Sequence, residues 1–208
     1  MDEEISIIDT KTRNEKIKHF FIENKKKLIS ITIILIVSVL SFYSFQIYKD
    51  KQIERISDNF NSAVIEFKNG DKSKSTSSMK EVVKDKDSTY SPLALYFLID
   101  NNLIENQTVI NELFDILIDE TSLEKEIRHL IIYKKALYNA DFVDEIQILE
   151  MLKPVLNSES VWKSHALYLI AEFFYSKKEM QKSKEFFEKI ISTENANQDI
   201  FIEAQKRL

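Results

Sequence analysis

Three histidines, His19, His129 and His165, are the side chains of this sequence best suited to metal binding or acid–base chemistry. A zinc hydrolase helix would place two histidines and a glutamate in an H-E-x-x-H spacing, and the sequence has no such spacing. We therefore interpret His129 and His165 as ordinary helical residues, and the sequence predicts no metal site.

Carboxylates are the second set of groups that could act as acids and bases, for example Asp119-Glu120 and Glu124 with Glu126. They stand beside Lys and Arg, which is typical of a solvated helix surface. There is also no cysteine, no glycine-rich phosphate loop and no nucleophile elbow. These patterns predict a protein that is not an enzyme and has no cofactor or small-molecule substrate, with a membrane-bound hydrolase as a remote alternative.

The stretch Leu28–Tyr48 sets the position of everything else, because it contains no charged residue, no proline and no glycine. At a helical rise of about 1.5 Å per residue it spans roughly 30 Å, the thickness of a bilayer's hydrocarbon core. A cleavable signal peptide would have a shorter apolar run and small residues after it. A buried helix of a soluble core would usually be shorter or carry a polar stripe. The stretch therefore predicts one uncleaved transmembrane helix.

Basic residues on either side of this helix predict its orientation. The fifteen residues before the helix contain six Lys or Arg, and the fifteen after it contain three. Because basic residues are retained on the cytoplasmic side, residues 1–27 are predicted to form a cytoplasmic tail and residues 49–208 to lie across the membrane. In a bacterial inner membrane that places the larger domain in the periplasm.

The tail divides into two parts. Residues 1–13 are polar and of mixed charge, so we expect them to be loosely ordered. From Asn14 onward, Ile17, Phe20 and Phe21 lie at i, i+3 and i+4 among lysines. This spacing indicates either a juxtamembrane amphipathic helix lying against anionic lipid or a simple extension of the membrane helix.

Composition indicates that the domain after the span is all-α. The whole chain has one Gly and two Pro, few of the residues that punctuate turns, which favours helices joined by short polar loops. Helical periodicity continues after the span as far as Asn69-Gly70-Asp71, and a weaker helix carries Met79, Val82 and Val83. Further helices are predicted at Leu93–Leu103, Val109–Ile118, Leu123–Tyr138, Val143–Leu156 (kinked or restarted near Pro154), Val161–Tyr175, Met180–Ile191 and Ile200–Leu208. The net charge of −5 argues against nucleic acid as a partner.

Helix pairs that recur about every 34–36 residues are typical of a solenoid of helical hairpins. The best copy is HALYLIAEFFYSKKEMQKSKEFFEKIISTEN, residues 165–195, which resembles a tetratricopeptide repeat. In its first helix Ala171 takes the small position and Phe174 the large aromatic one. In its second helix Ser183, Phe187 and Ile190 take the packing positions.

A second copy of this pattern lies three periods of about 36 residues earlier. Ala63, Gly70, Ser75 and Met79 fall on the corresponding positions. The best copy departs from the repeat pattern at two places. Lys178-Glu179 replaces the usual Gly-Asp turn, and Asn195 stands where Pro is common. We predict about four hairpins followed by a C-terminal solvating helix, the alternative being a generic helical bundle.

The whole arrangement resembles one family, which comprises the ancillary subunit of the SecYEG translocon and related alphaproteobacterial proteins and shares its fold with a cell-division coordinator. A tail, one anchor and a tetratricopeptide-like domain carry this resemblance, together with Trp162 before the last good repeat and the closing IEAQKRL segment. The resemblance implies a scaffold or chaperone-like role beside the protein-export channel. The implied partners are translocon subunits, periplasmic chaperones and substrate polypeptides. An envelope scaffold for cell division or outer-membrane assembly is the alternative.

Aromatic residues are dense in the last repeat, and two interpretations of them stay open. Trp162, Tyr168 and Phe173 could line a concave surface that contacts a peptide. Packing between adjacent hairpins would account for the same rings without a ligand.

Overall fold

The computed structural model describes the backbone of residues 2–208 and the side chains from Arg13 onward. Ten α-helices joined by turns and loops, and no strand, are present among the residues described. The chain divides into two compact units, Met1–Glu54 and Arg55–Leu208. The expectation of an all-α chain is confirmed.

The first unit contains α1 (Asp2–Glu23) and the first part of α2 (Lys25–Lys68). Residues 2–13, expected to be loosely ordered, belong to α1. By length and composition α2 is able to cross a membrane, and the apolar side chains of residues 29–48 are exposed. Within the span, Ser30 and Thr32 donate their hydroxyls to the carbonyls of Lys26 and Leu28, which leaves no unpaired hydroxyl at these two positions.

The second unit is formed by the end of α2 and eight further helices. They are α3 (Lys72–Lys84), α4 (Tyr90–Asp100), α5 (Gln107–Asp115), α6 (Lys125–Asn139), α7 (Glu145–Leu156), α8 (Lys163–Ser176), α9 (Met180–Ile191) and α10 (Gln198–Lys206). The bounds of α9 agree with the sequence prediction, and the others differ by a few residues at their ends.

Polar side chains begin several of these helices by accepting backbone N–H groups that have no partner inside the helix. Asp71 caps α3, Asn106 caps α5 and Asn197 caps α10. Asp144 and Gln147 form a reciprocal capping box at the start of α7. These caps explain how short helices begin sharply in a chain that has almost no glycine or proline.

Two local features depart from the sequence prediction. A π-helical turn, Ile116–Glu120, follows α5, and the Thr121 hydroxyl donates to the Ile116 carbonyl across it at 3.0 Å. Helix α7 does not restart at Pro154 but continues to Leu156. Pro154 lies in the last turn of α7, so the helix extends only two residues past it.

The core of the second unit consists of three apolar clusters that follow one another along the chain. The first lies between the end of α2 and α6, the second among α6, α7 and α8, and the third among α8, α9 and α10. Among the contacts described in this unit, helices pack against neighbours one or two places away in sequence. Ala204 of α10 is fully buried in the third cluster, so the last helix closes that cluster.

Polar contacts also join helices that lie two places apart. Glu126 accepts from the Ser160 hydroxyl at 2.7 Å across 34 residues. Lys182 donates to Glu145 at 2.7 Å across 37 residues. The Asn197 N–H donates to the Ser164 hydroxyl across 33 residues. These three contacts span 33 to 37 residues of sequence.

Candidate functional site

An apolar groove between α4 and α6 is a concave surface of the second unit that exposes large apolar side chains. Its volume is about 420 Å³. It is lined from the α4 side by Pro92, Leu93 and Tyr96, and from the α6 side by Leu123, Ile127 and Leu130. Leu93 is 46% exposed and Ile127 is 40% exposed, so the groove presents apolar surface to solvent.

Helical spacing brings these residues to one place. Pro92 and Leu93 lie four and three positions before Tyr96, so each is a neighbour of Tyr96 on the surface of α4. Ile127 and Leu130 follow each other by three positions along α6 in the same way. Pro92 lies in the first turn of α4, where its missing N–H costs no helical hydrogen bond. Helices α4 and α6 therefore position most of the lining, and the segments just before each helix contribute the rest.

Tyr96 supplies one polar group of this groove, which Ser88, Thr89 and Glu124 also line. Its ring is half-buried, and its hydroxyl oxygen is buried without a hydrogen-bond partner among the described residues. Burial, with a further contribution from the charge of Asp100, raises the pKa of Tyr96 to about 12. The hydroxyl therefore stays protonated at any physiological pH.

A smaller pocket of about 260 Å³ continues from Tyr96 on the other side of the ring. Phe114, Leu137 and Tyr138 contribute its apolar lining, and Leu137 is exposed. The ammonium of Lys134 lies 5.7 Å from the centroid of the Tyr96 ring. Tyr96 lines both pockets, and charged side chains border each of them: Glu124 the first, and Asp100 and Lys134 the second.

This arrangement is suited to binding. Apolar walls match the needs of an apolar segment of a protein. Within residues 13–208 no group of three or more His, Asp or Glu side chains is placed to hold a metal ion.

The predicted repeat residues lie in two separate helix pairs. The earlier copy lies in the pair formed by the end of α2 and α3, where Ala63, Ser75 and Met79 are fully buried. Gly70 is exposed in the turn between these two helices, with φ +91°. The residues of the later copy are buried in the last pair: Ala171, Phe174, Ser183, Phe187 and Ile190.

The three aromatic residues predicted as a peptide-contact surface do not form one exposed surface. Phe173 is 5% exposed and packs in the second core cluster, so its ring offers no face to a peptide. Trp162 is half-buried and stacks on Tyr133, with ring centroids 6.0 Å apart. Tyr168 is half-buried against Phe187, at 5.6 Å between centroids.

The histidines of the second unit lie where α6 meets the start of α8. His129 is buried, with its Nδ1 3.9 Å from the Glu126 carboxylate, and burial lowers its pKa. His165 contacts Tyr133 and Trp162, and burial lowers its pKa as well. Both Nδ1 atoms lack a hydrogen-bond partner among the described residues.

Glu126 accounts for the polar chemistry at this junction in structural terms. It accepts from the Ser160 hydroxyl and from the Val161 N–H, and the first of these bonds is the main reason why its pKa is lowered. The carboxylate therefore holds the chain entering α8 against α6.

Sequence reasoning missed the groove between α4 and α6, although a signal for it exists. The α4 sequence YSPLALYFLID is apolar around nearly its whole circumference, yet one helix pair buries only one face. The remaining apolar face, carrying Leu93 and Tyr96, is the wall of the groove.

Comparison with known proteins finds no family model, no curated protein and no solved structure that matches this chain. Its function is accordingly inferred from its own residues and their geometry.

Proposed function

We propose that this protein is a membrane-anchored scaffold whose helical domain binds segments of other proteins. The observation that carries the proposal is the groove between α4 and α6, with exposed Leu93 and Ile127. Its occupant is an apolar segment of a partner polypeptide that packs against Leu93 and Ile127.

The helical domain is, in this proposal, a tetratricopeptide-like solenoid of about four hairpins with α10 as the terminal solvating helix. Helices that pack on their chain neighbours, and polar ties across 33 to 37 residues, support this arrangement. In such a solenoid the first helices of successive hairpins line the concave face. Helices α4 and α6 take that place, which puts the groove on the face that repeat proteins use for binding.

The anchor is the apolar part of α2, residues 28–48. The excess of basic residues before it supports a cytoplasmic N-terminus and a periplasmic helical domain in a bacterial inner membrane. The resemblance to the ancillary translocon subunit makes SecYEG subunits, periplasmic chaperones and exported polypeptides the proposed partners. An envelope scaffold for cell division or outer-membrane assembly uses the same architecture and is the second candidate.

Affinity purification of the tagged, detergent-solubilised full chain from its own membranes, followed by mass spectrometry, tests the partners. A version with a foreign apolar anchor of equal length in place of residues 28–48 runs beside it. Recovery of translocon subunits with the native anchor and not with the foreign one is expected. Division or outer-membrane assembly proteins recovered with both versions would favour the second candidate instead.

The groove is tested in the same purification with Ile127→Glu, which places a charge on its exposed wall. Ile146→Glu is the matched control, because Ile146 is an exposed helical isoleucine that does not line the groove. We expect Ile127→Glu to lose polypeptide partners and Ile146→Glu to keep them. Equal recovery by both variants, each with the unfolding midpoint of the unmutated chain, would remove the groove from the proposal.

A further inference from the structure

The junction between α1 and α2 forms a second apolar groove, which lies within the first unit. Phe21 from the end of α1 faces Leu28, Ile29 and Ile33 from the start of α2 across a groove of about 460 Å³. Lys25 and Thr32 complete its lining. The groove is therefore an apolar channel with one cationic side chain at its edge.

The Thr32 hydroxyl and the Leu28 N–H at this groove already have hydrogen-bond partners within the chain. The Thr32 hydroxyl donates to the Leu28 carbonyl at 2.9 Å, and the Leu28 N–H donates to the Asn24 carbonyl at 2.9 Å. The backbone thus remains hydrogen-bonded through the short break between the helices. A hydrocarbon chain would lose no hydrogen bond on entering, whereas a peptide would bring unpaired backbone groups.

The cations next to the groove are unpaired. Lys25, Lys26 and Lys27 are exposed, and no carboxylate lies within ion-pair distance of them among the side chains that the structure describes. The nearby Glu23 contacts His19 instead, with 3.2 Å between its Oε1 and the His19 Nδ1. Residues 13–27 carry six basic and two acidic side chains, so the surface around the groove is strongly positive.

The other end of the span differs. Lys49 and Lys51 alternate with Asp50 and are followed by Glu54, so positive charge does not accumulate there. An anionic group is therefore attracted to one end of the span and not to the other.

We propose that the α1–α2 junction binds one anionic phospholipid, with its phosphate on Lys25, Lys26 and Lys27 and an acyl chain in the groove between Phe21 and Ile33. Charge complementarity selects the headgroup, and the apolar groove selects a lipid over a soluble anion. The inference rests on the proposed function in one respect, namely that α2 is inserted in a membrane.

The test is electron paramagnetic resonance of spin-labelled phosphatidylglycerol and phosphatidylcholine in vesicles that contain the full chain. It measures the relative association of each lipid with the protein. Because lysines attract an anionic headgroup, we expect several-fold selectivity for phosphatidylglycerol, weakened by added salt. The triple variant Lys25→Gln/Lys26→Gln/Lys27→Gln is expected to remove this selectivity.

The matched control is Lys49→Gln/Lys51→Gln at the other end of the span, which is expected to keep the selectivity. Loss of selectivity in both variants, or in neither, would overturn the proposal. Inorganic phosphate is added in a separate arm, and displacement of phosphatidylglycerol by phosphate at matched ionic strength would show a site for a soluble anion instead.

The acyl groove has its own variant, Phe21→Ala, which removes one wall and leaves every lysine in place. We expect it to shorten the residence of the bound lipid and to lower selectivity by a smaller factor than the triple variant. An unchanged lipid spectrum would exclude the groove from the site.

Failure of the anchor is separated from failure of this inference by alkaline extraction of the same vesicles. A chain released by carbonate is not inserted, which would contradict the proposed function. A chain that resists extraction but shows no preference between the two lipids would contradict the lipid site alone.

Discussion

The first and last helix pairs of the second unit use the same packing positions with different chemistry. The first pair is the end of α2 with α3, and the last pair is α8 with α9. Alanine and serine are buried at corresponding positions, and larger apolar residues follow them. The corresponding residues are Ala63 and Ala171, Ser75 and Ser183, Met79 and Phe187, and Val82 and Ile190.

The turns of the two pairs also correspond. In each pair the turn after the first helix contains a residue with positive φ, which is Gly70 at +91° in the first pair and Lys178 at +64° in the last. At both turns the next two N–H groups bond back to the helix end in a Schellman pattern. The bonds are Gly70 to Phe67, Asp71 to Glu66, Lys178 to Tyr175 and Glu179 to Phe174, all between 2.9 and 3.0 Å. The last pair therefore builds with lysine a turn that glycine adopts at lower cost.

The contacts near each turn show the largest chemical difference. In the first pair Lys74 forms an ion pair with Glu66 at 2.8 Å. In the last pair the corresponding lysine, Lys182, lies over the Phe174 ring at 5.0 Å from its centroid and also pairs with Glu145 and Glu179. The comparison teaches that small buried residues set the approach of the helices, while surface contacts vary without changing it.

Truncation of the large buried residues gives the largest expected effect on this comparison. We expect Phe187→Ala to lower the free energy of unfolding by about 3–5 kcal/mol and Met79→Ala by about 2–5 kcal/mol, because each leaves a cavity. Urea unfolding of the detergent-solubilised full chain, followed by circular dichroism, measures both. Met180→Ala is the control, since Met180 is exposed, and equal losses in all three variants would contradict the assigned packing roles.

Substituting the positive-φ residue of each turn changes stability by an intermediate amount, with opposite sign in the two pairs. A side chain at Gly70 would meet nothing within 4 Å, so Gly70→Ala carries only the conformational cost, about 1–2 kcal/mol of destabilisation. Lys178→Gly relieves the same strain and is expected to stabilise the chain by up to about 1 kcal/mol. Unfolding midpoints of the two variants measure this difference. A loss of stability in Lys178→Gly would show that its turn is held by contacts of the lysine side chain.

Acid distinguishes the two pairs through His165 of the last pair and through His129 of α6, which packs against that pair. Burial lowers the pKa of His129 and of His165 below the ordinary value of 6.5, whereas the first pair has Ser57 at the position corresponding to His165. For His129, the carboxylate of Glu126 opposes this shift, while Lys125 and Arg128 add to it. The unfolded chain therefore takes up protons first as the pH falls below 6.5, and stability present above that pH is lost.

Hydrogen exchange between about pH 7.5 and about pH 5.5, corrected for intrinsic rates, measures this loss locally. We expect protection to fall more in α8 than in α3. The double variant His129→Gln/His165→Gln should flatten the response of α8 and leave that of α3 unchanged. A parallel fall in both helices, retained in the variant, would mean that other groups cause it.

Removal of the two lysines gives the smallest expected effects. Lys74→Met loses one exposed ion pair, so its effect on the urea midpoint should vanish at high salt. Lys182→Met loses two ion pairs and the contact with Phe174, so a residual effect should remain at high salt. Identical salt dependence of the two variants would contradict the aromatic contribution.

Much of the helical framework follows from the sequence because helix formation depends on local patterns. The period of apolar residues predicts α9 at its observed bounds, and the uncharged run Leu28–Tyr48 lies within one helix. The turn at Gly70 follows from its residue type. The repeat positions Ala63 and Ala171 could be chosen before the structure because small residues are required where helices approach closely.

Tertiary structure decided which apolar faces are covered. Periodicity shows that α4 and α8 have more apolar surface than one helix pair can bury, but it does not say which neighbour covers it. The fold buries Phe173 and leaves Leu93 and Ile127 at the surface, so the groove lies between α4 and α6 and not near Tyr168. The π-helical turn after α5 likewise depends on Thr121 reaching back to Ile116. Burial is a property of the neighbours that a residue meets in the folded chain, and those neighbours lie beyond the window in which a sequence pattern can be read.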